Sequence, residues 1–281
     1  MIVTVLGTAQ DGGYPQAGCR EACCAPAWKN KSLIRFPSCI ALINPDSNKY
    51  WLFDVTPDVK QQIDMLDSYN CSLAGVFITH AHIGHYMGMI NFGLEVMNLK
   101  NLPVYIMPRM KHFLETNSII KQLLINKNIE LIQLNDDKPY DLGGVEIIPF
   151  DVPHRNELSE TVGFRIIGSK KRAVYLPDID SWDDWTDKLI DLINSNDILF
   201  IDGTFFSKTE IRQRDISKIP HPEIIGTMEM LSHLSFNLKQ KIHFIHFNHT
   251  NEVLLEKSEA AKSVIDKGFL LSREMQSFKI S

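Results

Sequence analysis

Ile78-Thr79-His80-Ala81-His82-Ile83-Gly84-His85 carries three imidazoles within six residues, directly after the apolar run Ala74-Gly75-Val76-Phe77-Ile78. That run is rich in β-formers and bounded by polar residues, so it reads as a buried strand that delivers the histidines at its C-terminal end. Residues two apart share a face in extended chain, so His80 and His82 aim at one metal ion while His85, just beyond, reaches a second. The alternative is a histidine-rich surface loop. A lone histidine would favour it, since most are structural or face solvent, but three together after a strand do not.

Outward from that stretch, short strand-like runs alternate with polar tips. Towards the N-terminus, residues 2–6 form a strand, and the loop after it holds Asp11-Gly12-Gly13-Tyr14-Pro15, which reads as a turn. Residues 38–43 and 50–53 bracket Asn44-Pro45-Asp46-Ser47-Asn48 as a hairpin. Asp54-Val55-Thr56-Pro57-Asp58 ends that strand and opens a helix over 57–66, with Thr56 or a neighbour as cap. Towards the C-terminus, residues 86–97 have helical apolar spacing. A strand over 145–148 is expected to stop at Pro149 and lead to Val152-Pro153-His154-Arg155. A strand over 172–175 leads to Pro177-Asp178, and one over 198–201 to Asp202-Gly203-Thr204. His221-Pro222 opens a helix to about Leu231, and His243-Phe244-Ile245-His246-Phe247-Asn248-His249 closes the set. This pattern is a sheet scaffold with a site along one edge.

The chain of 281 residues, 44% hydrophobic, can bury a sizeable core. With no repeat, low-complexity tract or linker, one domain over residues 1–281 is expected. A net charge of −5 gives no general basic footprint, which argues against broad nucleic-acid or anionic-membrane binding. There is no apolar run long enough to span a membrane and no signal-peptide pattern, so the expected location is the cytoplasm. A small-molecule substrate is expected, and a homodimer is left open.

Five cysteines, an odd number, do not suggest a disulfide framework. Cys19, Cys23 and Cys24 cluster with a spacing compatible with three thiolates on one zinc, provided a fourth ligand comes from elsewhere. Buried or incidental thiols are the competing reading, and Cys39 and Cys71 read as core or surface residues.

The order of these motifs resembles the metallo-β-lactamase superfamily: His-x-His-x-x-His after a strand, an isolated histidine, an aspartate after a strand and a last histidine near the C-terminus. The resemblance spans the chain and implies an α/β fold, the αββα sandwich. Within the superfamily the chain is similar to the PqqB family of pyrroloquinoline quinone biosynthesis. The shared patterns are Val5-Leu6-Gly7-Thr8-Ala9, Gly12-Gly13-Tyr14-Pro15-Gln16, Thr56-Pro57-Asp58, Asp202-Gly203-Thr204 and His246-Phe247-Asn248-His249-Thr250-Asn251. PhnP-type cyclic phosphodiesterases and ribonuclease Z share the layout.

Carried over, the resemblance implies that His80, His82 and His154 hold a first ion, with Asp178 bridging to a second held by His85 and His246. Such ligands suit Zn²⁺, Mn²⁺ or Fe²⁺, one or two ions, and coordinated water there becomes a nucleophile near neutral pH. Asp54 is expected to fix a ligand tautomer, or else to cap a helix. His221 resembles the histidine that phosphodiesterase relatives use as general acid or phosphate contact, or else simply starts a helix. Likeness to PhnP-type enzymes also implies a structural Zn²⁺ on Cys19, Cys23, Cys24 and His249, with the middle cysteine spaced differently here.

One departure is visible. The superfamily usually has His-x-His-x-Asp-His, and Gly84 stands where the aspartate belongs. The second site is therefore expected to lack a carboxylate and to be weaker or more open, or else a substrate group fills the space. Three functions follow. The first is a metal-dependent hydrolase of phosphodiester or ester-like bonds. The second is a PqqB-like Fe²⁺ oxygenase in pyrroloquinoline quinone biosynthesis, and the third a non-catalytic metal carrier. Pocket walls are expected from loops such as 155–160 and 205–220.

Overall fold

Alternation of side chains along each strand builds the architecture, because successive residues point to opposite faces and here both faces are apolar. A computed structural model describes residues 1–210 and 219–281. Its first six strands are β1 (Ile2–Gly7), β2 (Cys39–Asn44), β3 (Lys49–Phe53), β4 (Ser72–Phe77), β5 (Leu102–Ile106) and β6 (Ile129–Gln133). Then come β7 (Tyr140–Asp141), β8 (Glu146–Asp151), β9 (Val162–Ile167), β10 (Arg172–Leu176), β11 (Ile198–Asp202), β12 (Ile242–Ile245), β13 (Leu270–Leu271) and β14 (Ser277–Lys279). They form two seven-stranded sheets, ordered β14-β1-β2-β3-β4-β5-β6 and β13-β12-β11-β10-β9-β8-β7.

Ile40, Leu42, Trp51 and Phe53 of one sheet meet Phe164, Ala173, Tyr175 and Phe200 of the other in a central core. The residues between them, Ala41, Ile43, Leu52 and Val174, Leu176, Leu199, Ile201, face outward into two further cores. Helices cover those outer faces: Thr186–Ser195 buries Leu189, Leu192 and Ile193 against one sheet, and Pro108–Thr116 buries Met110 and Leu114 against the other. The result is helix, sheet, sheet, helix, as the sequence resemblance implied. Phe77 stacks on Phe53 at a 4.9 Å centroid distance, and Phe164 meets both edge-on, locking the two sheets at the level of the histidine strand.

Strand direction then sets the site. β3 and β4 run parallel, and so do β10, β11 and β12. β8 and β10 are each antiparallel to β9, and β1 and β3 each to β2, so β1, β3, β4, β8, β10, β11 and β12 end at the edge where β2 and β9 begin. No helix among the described residues is long and apolar enough to cross a membrane.

Two local expectations are corrected. The strand over 145–148 does not stop at Pro149, because β8 continues to Asp151. The Pro149 carbonyl accepts from Asp137 N on the side away from β9, so the N–H that proline lacks is not needed by that ladder. Residues 86–97 are not one helix: a single α turn, Ile83–Tyr86, passes into a 3₁₀ stretch, Met87–Phe92. Backbone bonds from Val55 N to His85 O and from Gly88 N to Val55 O tie the segment to the 54–56 loop, and a Cβ at Gly88 would collide with Thr56 O. Docking to that loop overrides the helical periodicity.

The segment before β14 is fastened by Glu274, whose carboxylate accepts Phe36 N–H at 2.7 Å. Burial raises its pKa to about 7, with Asp58 adding to the rise and the Phe36 N–H and Arg35 opposing it. The folded protein therefore holds a proton that the unfolded chain loses near 4.5, so this contribution is full below that pH and falls as pH climbs through 7. A glutamine keeps the acceptor and cannot ionise. Relative to wild type, Glu274→Gln is expected to melt higher at pH 8 than at pH 5, by roughly 2–4 °C per kcal/mol recovered. Equal differences at the two pH values would refute the assignment.

Candidate metal centre

Each strand that ends at the shared edge delivers a polar side chain just past its last apolar residue. After β4 come His80, His82 and His85; after β8, His154; after β10, Asp178; after β12, His246. The structure brings the five imidazoles together around the Asp178 carboxylate, which is 3% exposed. Its Oδ2 lies 3.3 Å from His80 Nε2, 3.8 Å from His85 Nε2, and 3.9 Å from both His82 Nδ1 and His246 Nε2. Its Oδ1 lies 3.5 Å from His154 Nδ1 and 3.4 Å from His221 Nδ1.

Hydrogen bonds from outside the cluster turn several of these rings. His85 Nδ1 is 2.8 Å from Asp54 Oδ2, which turns its Nε2 inward. Asp54 is fully buried and also accepts from Thr79 N, Thr79 Oγ1 and the Tyr175 hydroxyl, so it is fixed by its own donors. It is not a helix cap: the N-cap of the helix Val59–Asp64 is Asp58. His246 Nδ1 is held by Thr204 Oγ1 at 2.9 Å and His80 Nδ1 by Thr79 Oγ1 at 2.9 Å. His154 Nδ1 lies 2.6 Å from Asp180 Oδ1, and its Nε2 lies 3.3 Å from His82 Nδ1.

His221 does not start a helix either, since the helix Ile224–Met230 begins beyond it. Its Nδ1 is 2.7 Å from Asp202 Oδ2, and Arg155 Nη2 stands 3.4 Å from its Nε2. Burial disfavours its cation, but Asp202 and Asp178 outweigh burial and raise its pKa above the usual imidazole range. On His85 burial likewise opposes charge, and Asp54 and Asp11 outweigh it. His80 is the opposite case, driven well below the usual range by burial and the neighbouring His85.

The donor set fits a divalent metal. His80 Nε2, His85 Nε2, His246 Nε2 and Asp178 Oδ1 are buried without a well-aligned hydrogen bond. Orphaned polar atoms cost about 1–3 kcal/mol each, so four around one point mark a place built for a cation. The ligand atoms group as His80, His82, His154, Asp178; as Asp178, Asp202, His221, His246; and as Asp11, His85, His246, all within 4.8 Å of one another in each group.

Sequence reasoning did not single out Asp11, Asp180, Asp202, Thr204 or Arg155 as site residues. Asp202 carried a signal, a carboxylate ending an apolar run. Asp11 was hidden in what reads as a turn. The place beside Gly84, expected to lack a carboxylate, is occupied: Asp11 Oδ1 lies 3.3 Å from His85 Nε2 and 3.6 Å from His246 Nε2.

A second group lies beyond β12. Cys19, Cys23, Cys24 and His249 converge, with Cys19 Sγ to Cys23 Sγ at 3.7 Å and His249 Nδ1 at 3.7 Å from Cys23 Sγ and 3.3 Å from Cys24 Sγ. Zn–S bonds of ~2.3 Å at tetrahedral angles give S···S edges of about 3.8 Å, so the spacing suits zinc, the differently spaced Cys23 included. Cys39 is buried in β2 and Cys71 half-buried, outside this group.

A pocket of about 250 Å³, lined by His80, His82, Arg155, Glu157, Leu158 and Ser159, opens on the centre. The 155–160 loop thus walls it; of 205–220, residues 211–218 lie outside the described residues. A larger cavity of about 570 Å³, between Arg35, Phe247, Lys257 and Arg273, is lined by none of these histidines.

Residues 50–247 match the family model for the Beta-lactamase superfamily domain. The chain is similar to Coenzyme PQQ synthesis protein B of Methylorubrum extorquens, 24% identical over 306 residues that cover 98% of each chain. Among solved structures it is similar to Zn(2+)-bound PqqB from Methylobacterium extorquens, with TM-score 0.84 and 23% identity over 99% of this chain and 100% of that one. It is also similar to a diphosphatase from the PhnP family, with TM-score 0.69 and 21% identity over 99% and 96% of the two chains.

Proposed function

The chain belongs to the β-lactamase superfamily domain family and has its αββα sandwich, and from that premise we propose a metal-dependent hydrolase that cleaves a phosphodiester or related ester-like bond. The observation that carries this reading is the convergence of His80, His82, His154, His85 and His246 on one buried carboxylate, Asp178. His80, His82 and His154 would hold one divalent ion, His85 and His246 a second, with Asp178 between them. When bound, such ions supply Lewis acidity and bring the pKa of coordinated water near 7.

The remaining work falls to the chain's own groups. Asp202 accepts from His221 Nδ1, so Nε2, 3.4 Å from Arg155 Nη2, accepts from the guanidinium when the ring is neutral and carries the second proton when the ring is an imidazolium. An imidazolium and a guanidinium bordering one edge of the cluster suit phosphoryl oxygens, with His221 placed to give its proton to a leaving oxygen. Asp180 accepts from Arg155 Nε at 3.2 Å and holds the guanidinium at that edge. The substrate is a small anionic molecule, and the expected location is the cytoplasm.

Protein replete with Zn²⁺ or Mn²⁺ is expected to hydrolyse bis-p-nitrophenyl phosphate or another member of a panel of phosphodiesters and esters. His221→Ala should retain its metal and lose about 10²–10⁴ in kcat. Absence of metal-dependent turnover across the panel, or an unaltered kcat in the variant, would refute the reading.

End-to-end similarity to Coenzyme PQQ synthesis protein B favours a second reading, an Fe²⁺-dependent oxygenation in that cofactor's synthesis. Imidazole and carboxylate ligands with open positions suit iron and O₂. Oxygen consumption by the Fe²⁺-loaded protein with a tyrosine-derived peptide, and none with the Zn²⁺ form, would favour it over hydrolysis.

A further inference from the structure

Gly84 and Asp11 are complementary shapes. Gly84 is buried at the start of the α turn that carries His85, and its φ is not positive, so backbone conformation does not call for glycine there. Space does. A Cβ at position 84 would fall on the Asp11 carboxylate and within 2.6 Å of Asp11 Cα. The carboxylate that the superfamily usually carries at this point of the histidine motif is thus replaced by one arriving from the loop after β1.

That loop is held at both ends. Gln10 N bonds Phe247 O at 2.8 Å and Phe247 N bonds Thr8 O at 2.8 Å, so the tail of β1 is laced to the residue after His246. Beyond Asp11, Gly13 turns the chain at φ +65, and Tyr14 exchanges backbone bonds with Arg35 in both directions. Asp11 is consequently fixed opposite two imidazoles whose outer nitrogens are already engaged, His85 by Asp54 and His246 by Thr204. Both inner nitrogens, His85 Nε2 and His246 Nε2, are buried orphans 3.3 and 3.6 Å from Asp11 Oδ1.

We propose that Asp11 is a ligand of the second ion, supplying from the first loop the carboxylate absent at position 84, with Gly84 as the gap that admits it. The second site then has Asp11, His85, His246 and Asp178, two carboxylates and two imidazoles, and is not a weakened one. The proposal rests on the two-ion reading of the centre but not on any reaction.

Its test is metal binding. Apo wild type titrated with Zn²⁺ and checked by elemental analysis is expected to take two active-site equivalents besides the one on the cysteines. Asp11→Asn, which keeps shape and removes charge, should lose one of them or bind it at least about 100-fold more weakly, the upper end of what even outer-shell partners cost. Gly84→Asp should also weaken that site, because its side chain meets Asp11. The double swap Asp11→Gly with Gly84→Asp should bind the second ion more tightly than Asp11→Gly alone, and this comparison carries the test if Asp11→Asn does not fold. Two full-affinity equivalents in Asp11→Asn, or a single active-site equivalent in wild type, would overturn the proposal. Failure of hydrolysis with two ions bound would leave it standing and remove only the reaction.

Discussion

Asp178→Ala is expected to release both active-site ions and with them all metal-dependent turnover, the largest effect of any single substitution in this centre. The carboxylate faces six imidazoles: Oδ2 is within 3.9 Å of His80, His82, His85 and His246, and Oδ1 within 3.5 Å of His154 and His221. Burial alone would raise its pKa, but His154, His221 and His246 hold it well below the usual carboxylate range, so it stays an anion even without metal. Removing it takes a ligand from each ion and leaves a buried ring of imidazoles with no central counter-charge. The loss should exceed the ~10²–10³-fold that deletion of one preorganised electrostatic group costs. Asp178→Asn, nearly the same shape, should lose the ions too, which separates charge from packing. The check is metal content by elemental analysis beside a melting curve. A well-folded Asp178→Ala that keeps both active-site equivalents would show that the ions do not share this carboxylate.

The strands and the ring of histidines were legible because one rule governs both. A largely apolar run of four or five residues that stops at or just before His80, Asp178, Asp202 or His246 names a strand and its functional tip together. What stayed hidden depended on contacts between distant segments. Residues 86–97 carry a helical period, yet Gly88 must sit against the backbone of Thr56, and that docking cuts the helix short. Pro149 reads as a strand stop because sequence does not reveal which side of β8 is unpaired. Asp11 lies in a glycine-rich stretch that reads as a turn, and a turn it is; only the closeness of Gly84 gives the aspartate its place. The signal available was the gap itself, since two imidazoles facing a missing carboxylate call for one from elsewhere in the chain.

Cys24→Ser is expected to lose one equivalent of zinc and to melt roughly 10 °C or more below wild type, while the first active-site ion remains. The four donors come from two segments more than two hundred residues apart, with His249 Nδ1 3.3 Å from Cys24 Sγ and 3.7 Å from Cys23 Sγ. A tetrahedral zinc there would cross-link the N-terminal loop to the segment after β12, and in a reducing compartment no disulfide would persist to do so. Burial pushes the Cys24 thiol up to about 12, so without a cation it stays a neutral thiol and the cross-link does not form. Apparent zinc affinities of such sites are about 10–16 kcal/mol and appear largely as folding free energy. Losing even a third of that, at roughly 2–4 °C per kcal/mol in a chain of this size class, gives the expected shift. Cys39→Ser is the control: Cys39 is fully buried in β2, outside the Cys19, Cys23, Cys24, His249 group, so it should lower the melting temperature without changing zinc content. The same loop carries Asp11, and Tyr14 ties it to the cysteines by donating to Cys23 O at 2.9 Å. Cys24→Ser should therefore loosen the second active-site ion before the first. A variant that keeps a full structural equivalent and the wild-type melting temperature would mean that the three thiols and the imidazole converge for packing alone.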